Sequence, residues 1–98
     1  MQTVIETPTF TKQADQIWTA DERLEFVDFL VANPTAGVVI PKSEGARKVR
    51  WTVKGSGKRG GVRVVYFNFD EKGIIYLVAI YQKTAKDNIT GKEIKKTI

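Results

Sequence analysis

The 98-residue chain predicts an α+β fold in which a short strand and a helical hairpin precede an antiparallel sheet, all within one domain spanning residues 1–98. Two observations lead to this class. Apolar residues recur at helical spacing between residues 10 and 31, and the pattern changes to strand-like runs after residue 46. The order strand, helix, helix, strands also keeps the helices apart from most of the sheet, as in the α+β class. The length suits one apolar core and leaves no room for a second domain.

Residues 3–6 read as a first strand ended by Pro8, which cannot donate to a ladder. Phe10, Ala14, Ile17 and Trp18 fall on one helical face, with Thr9 as the expected N-cap. Thr19, Ala20, Asp21 and Glu22 form a capping-box pattern that opens a second helix. Its expected apolar face is Leu24, Val27, Leu30 and Val31, and Asn33-Pro34 supplies the stop. From residue 46 to 53 the chain alternates, with Val49, Trp51 and Val53 on one face and Lys48, Arg50 and Lys54 on the other. The run KGSGKRGG over residues 54–61 has four glycines in eight positions and reads as a loop. Residues 62–69 and 73–81 are apolar on both faces and read as the two central strands, joined by a turn-rich spacer over 70–73. From Ile89 the tail resembles the start of a third helix.

Sixteen basic and eleven acidic residues leave a net charge of +5, but they are unevenly spread. Residues 1–40 are net acidic. Between residues 41 and 63, Lys42, Arg47, Lys48, Arg50, Lys54, Lys58, Arg59 and Arg63 face Glu44 alone. A charge so concentrated attracts polyanions and speeds encounter with them. The absence of cysteine excludes disulfides and thiolate metal sites and fits a reducing, cytoplasmic setting. The longest apolar run, residues 74–81, is far too short to span a bilayer, and no membrane association is expected.

The same composition narrows the chemistry. With no histidine or cysteine, and with carboxylates concentrated on the helices, metal catalysis is set aside and a histidine-based triad is excluded. No cofactor is expected, because the glycine loop matches neither phosphate-loop nor dinucleotide spacing. What remains is a cation cluster that could bind RNA phosphates or help to break them. Scission needs a proton acceptor for the 2′-hydroxyl, a proton donor for the leaving oxygen, and charge to stabilise the phosphorane-like transition state. Arginine meets the last need. A lysine can move protons only if neighbouring cations pull its pKa down from about 10.4.

Three segments, GARKVRW (45–51), GKRGGVRVVYF (57–67) and IYLVAIYQK (75–83), resemble the RelE/HigB toxins of bacterial toxin-antitoxin pairs, and the HigB branch in particular. The likeness covers about residues 3 to 96. It implies a RelE/ParE-like fold and a ribosome-dependent endoribonuclease that cleaves mRNA in the 30S A site and is held in check by a cognate antitoxin. It further implies that Arg63 stabilises the transition-state phosphate, that Lys54 or Lys58 transfers a proton, and that Lys83 meets the phosphate or the leaving oxygen. Arg47, Arg50, Arg59 and Tyr81 would position the RNA. Several relatives carry a C-terminal tyrosine or histidine, and this chain has neither after Tyr81.

Plainer readings compete at several positions. Lys42, Arg47 and Lys48 read equally well as a solvated edge. Trp51, Tyr66 and Tyr76 read as core. Arg63 is different, because it sits mid-strand among valines, where an unpaired charge is costly and an anion is expected. Two rival functions share the fold or the charge: a ParE-like gyrase inhibitor and a non-catalytic RNA- or ribosome-binding module.

Overall fold

A computed structural model describes residues 3–51 and 61–82. The expected tail helix and the glycine loop lie outside the described residues. Five strands and two helices follow the order β1 (Thr3–Glu6), α1 (Pro8–Ile17), α2 (Ala20–Ala32), β2 (Val38–Val39), β3 (Arg47–Trp51), β4 (Val62–Phe69) and β5 (Ile74–Gln82). The class is α+β, as the sequence predicts.

α1 begins earlier than its spacing suggests. Thr7 is the N-cap, its hydroxyl accepting from the Phe10 amide at 3.0 Å, and Pro8 occupies the first turn, where a missing N–H costs nothing. The expectation that Thr9 caps this helix is therefore corrected, since Pro8 starts the helix as well as ending the strand. α2 opens with the expected capping box, in which Thr19 and Glu22 each accept from the other's amide. Its end is closed by Asn33, whose side chain donates to the Phe29 carbonyl at 3.0 Å.

The buried face of α2 also differs from the expected one. Phe26 and Leu30 are buried while Leu24 and Val31 are 59% and 37% exposed. Aromatic area decides the rotation: Phe26 packs 5.2 Å from the Trp18 ring and 5.5 Å from Trp51, and Phe29 lies 4.7 Å from Trp51. Such pairs bury more surface than Leu24 and Val31 could.

The sheet order is β1-β5-β4-β3-β2, so β4 lies at its centre. β1 runs parallel to β5, and the other pairs are antiparallel. The all-antiparallel expectation is corrected at this edge. A parallel partner needs a long connection, and everything between residues 6 and 74 serves as one. β2 was not foreseen, because two residues carry no readable period. β3 is seen over residues 47–51, and the expected extension to Val53 lies outside the described residues.

Each face of the sheet has its own apolar cluster. On the helix side Val49, Val62, Val64, Tyr66, Ile75, Leu77 and Ile80 meet Phe10, Ala14, Trp18, Phe26 and Leu30. On the other side Val65, Phe67, Val78, Ala79 and Tyr81 pack with Ile40 and Ala46. β5 changes face partway along. Tyr66 pairs with Leu77 and Val65 with Ala79, so Val78 is an extra residue, a β-bulge. Val78 and Ala79 therefore both lie away from the helices, and Ile80 returns to them.

Candidate functional site

β4 places Arg63 between Arg50 of β3 and Tyr81 of β5, each its direct cross-strand partner. Alternation along β4 sends Val62, Val64 and Tyr66 to the helices, so Arg63 and its two neighbours share the opposite face. Direct opposition brings Cβ atoms to within about 5 Å. Two arginines and a tyrosine thus form one row across three strands.

The electrostatics of this row are unfavourable in isolation. Arg63 is 8% exposed, and its Nη1 has no hydrogen-bond partner among the described residues. Arg50, directly opposite, is exposed and carries the same charge. Like charges placed opposite destabilise a sheet, and a buried cation without a counter-ion costs several kcal/mol, roughly, unless an anion joins it. A phosphate would meet that need through the forked guanidinium geometry.

Arg47 stands elsewhere. It shares the parity of Val49 and Trp51, and its Nη1 donates to the Gly37 carbonyl at 2.7 Å on the helix side. There it helps to pin the segment after α2: the Tyr66 hydroxyl donates to the Pro34 carbonyl at 2.9 Å and accepts from the Gly37 amide at 3.0 Å. The structure separates Arg47 from the Arg50–Arg63–Tyr81 row. Tyr66 is fully buried and Trp51 packs against the core, as expected for both. Lys54, Lys58, Arg59 and Lys83 lie outside the described residues.

Other features do not add to the row. Among the described residues, no three carboxylates converge to hold a metal ion. A groove of about 500 Å³ opens on the helix side, lined by residues including Glu6, Asp15, Trp18, Leu24 and Val27. Its acidic edge is spanned by Arg23, which pairs with Glu6 and, at 2.8 Å, with Asp15. No described helix is long and apolar enough to cross a membrane.

Sequence reasoning missed the bulge that sets the face of Tyr81. Strict alternation from Ile75 would send Tyr81 to the helices, and the apolar run on both faces of β5 conceals the change.

A mixed five-stranded sheet with a helical hairpin on one face has the architecture of the RelE-type toxin fold. Two solved structures share it. E. coli toxin RelE, a double arginine-to-alanine mutant in the free state, superposes with a TM-score of 0.64 at 17% identity, covering 99% of this chain and 97% of that one. The intact E. coli RelBE toxin-antitoxin complex contributes a chain that matches with a TM-score of 0.59 at 15% identity, covering 84% of this chain and 96% of that one. At such identities the likeness is one of fold. No family model matches the sequence.

Proposed function

We propose that this chain is the toxin of a toxin-antitoxin pair, a single-domain, ribosome-dependent endoribonuclease that cleaves mRNA in the A site without a metal. The observation that carries the reading is the buried Arg63, its Nη1 without a partner among the described residues, with Arg50 and Tyr81 on either side. A scaffold serving only stability would gain by replacing such a charge. An enzyme that must hold a phosphodiester keeps it.

The chemistry is in-line attack by a 2′-hydroxyl on the adjacent phosphorus. Lys54 or Lys58, in its neutral form, takes the hydroxyl proton. Arg63 stabilises the charge that develops on the non-bridging oxygens, with Arg50 beside it and Tyr81 and Arg59 orienting the strand. Lys83 meets the phosphate or protonates the departing 5′-oxygen. The P–O5′ bond breaks as the O2′–P bond forms, giving a 2′,3′-cyclic phosphate and a free 5′-hydroxyl whose proton comes from Lys83 or, where Lys83 holds the phosphate, from the lysine that took the 2′-proton. Arg47, bonded to Gly37, contributes to the fold more than to RNA.

The fold match to the E. coli RelBE complex supports a cognate antitoxin partner, which would bind over or beside the basic face. The segments at residues 45–51 and 57–67 support a place near the HigB branch, acting in the cytoplasm. The test is to incubate translating ribosomes with the protein and map mRNA 5′ ends. Breaks inside A-site codons support the enzyme. Intact mRNA with bound ribosomes would instead indicate a non-catalytic module, and inhibited supercoiling a gyrase poison.

A further inference from the structure

In a regular strand successive carbonyls point to opposite sides, yet those of Leu77 and Val78 both turn toward one residue. The Thr7 amide donates to the Leu77 carbonyl at 3.0 Å, and the Thr7 hydroxyl donates to the Val78 carbonyl at 2.7 Å. Thr7 is 1% exposed and lies 71 positions away in sequence. β1 ends at Glu6, paired with Leu77, so beyond that point β5 has lost its parallel neighbour. α1 supplies the replacement. Two residues past the bulge, the Ile80 amide donates to Gln13 Oε1 at 3.0 Å.

The extra residue decides which side of the sheet the end of β5 presents. With it, Ile80 enters the helix-side cluster and Tyr81 lies opposite Arg63 on the other face. Without it, alternation would exchange the two. Unpaired carbonyls and amides at a buried bulge are costly, and here three of them are met by two residues.

We propose that Thr7, assisted by Gln13, is a positioning residue of the candidate site: it holds the β5 bulge that sets Tyr81 beside Arg63. Neither side chain touches the RNA. Their influence on cleavage runs through Tyr81, and that part of the inference rests on the nuclease reading above.

The test compares Thr7→Val, which keeps the shape and loses the hydroxyl, with Thr7→Ser, which restores it, and with Gln13→Leu. Thr19→Val serves as the control, because it removes the N-cap hydroxyl of α2 and leaves the bulge alone. Two readouts are taken below the unfolding temperature: the single-turnover cleavage rate at saturating ribosomes, and the fluorine resonance of Tyr81 in 3-fluorotyrosine-labelled protein, assigned with Tyr81→Phe. Thr7→Val should slow cleavage about tenfold or more and shift the Tyr81 resonance. Gln13→Leu should do both to a smaller extent, Thr7→Ser should restore both, and Thr19→Val should lower the melting temperature alone.

If Thr7→Val does not fold, Gln13→Leu decides. Folded variants with native rates and an unmoved resonance overturn the proposal. Should the native chain cleave no mRNA at all, the nuclease reading falls, and the resonance still reports whether Thr7 sets Tyr81.

Discussion

Arg50 and Arg63 stand directly opposite one another on adjacent strands, one exposed and one buried. The sheet carries this repulsion at its centre, and an anion in the proposed site would relieve it.

Replacing Arg63 should therefore separate function from folding. Arg63→Met is expected to leave the melting temperature unchanged or raised by a few degrees, roughly, because a poorly compensated buried charge is removed without opening a large cavity. The same change should lower single-turnover cleavage by about 10²-fold or more, the loss seen when one transition-state donor is deleted. Thermal melting and a ribosome cleavage assay check the two halves. A variant that is strongly destabilised and still toxic would contradict both.

Free sulfate or phosphate should also stabilise the native protein, since an anion that binds the folded row and not the unfolded chain shifts the equilibrium by mass action. The increment should shrink in Arg63→Met. Thermal melts at constant ionic strength, with chloride exchanged for sulfate, separate this from general screening.

Tyr66 anchors the segment that follows α2, and Tyr66→Phe should cost about 1–3 kcal/mol by leaving the Pro34 carbonyl and the Gly37 amide without their partner. Burial pushes the Tyr66 phenol above its ordinary range, against the opposing pull of the Gly37 amide and the Arg47 charge. The folded state thus holds a proton that the unfolded chain releases above about pH 10, where free tyrosine ionises. This contribution is fully present below that pH and is lost as pH rises through the folded value. Denaturant melts between pH 8 and 11, roughly, should show an alkaline decline that is shallower in Tyr66→Phe.

Gly37 has no space for a side chain. An added Cβ would meet the Lys48 carbonyl and the Tyr66 ring, each at 3.0 Å. Gly37→Ala should cost roughly 1–3 kcal/mol, as overpacking does, and should perturb Arg47 by moving the carbonyl it holds. Urea unfolding checks this. A neutral result would mean that the segment between α2 and β3 adapts freely.

Much of this architecture was legible in the residues. β1 and β4 emerge with the expected bounds, because turn-formers and a dense apolar run delimit them, and the Thr19–Glu22 capping box is a local chemical signal that tertiary packing does not override. Arg63 stood out for a similar reason: a charge among valines is conspicuous. The side on which Arg47 lies was equally legible, since alternation groups it with Val49 and Trp51. Half of the face of α2 was legible, since Val27 and Leu30 meet the core as expected, but Phe26 in place of Leu24 and Val31 was not, because leucine, valine and phenylalanine score alike until the partner rings of Trp18 and Trp51 are known. Nor was the Val78 bulge, which depends on Thr7, a residue 71 positions away.

The most direct test of the account is primer-extension mapping of mRNA on programmed ribosomes, with the native chain and Arg63→Ala side by side. A metal-free guanidinium mechanism predicts breaks within A-site codons, ending in a 2′,3′-cyclic phosphate, for the native chain and none above background for the variant. Equal cleavage by both proteins, or no cleavage by either, would contradict it.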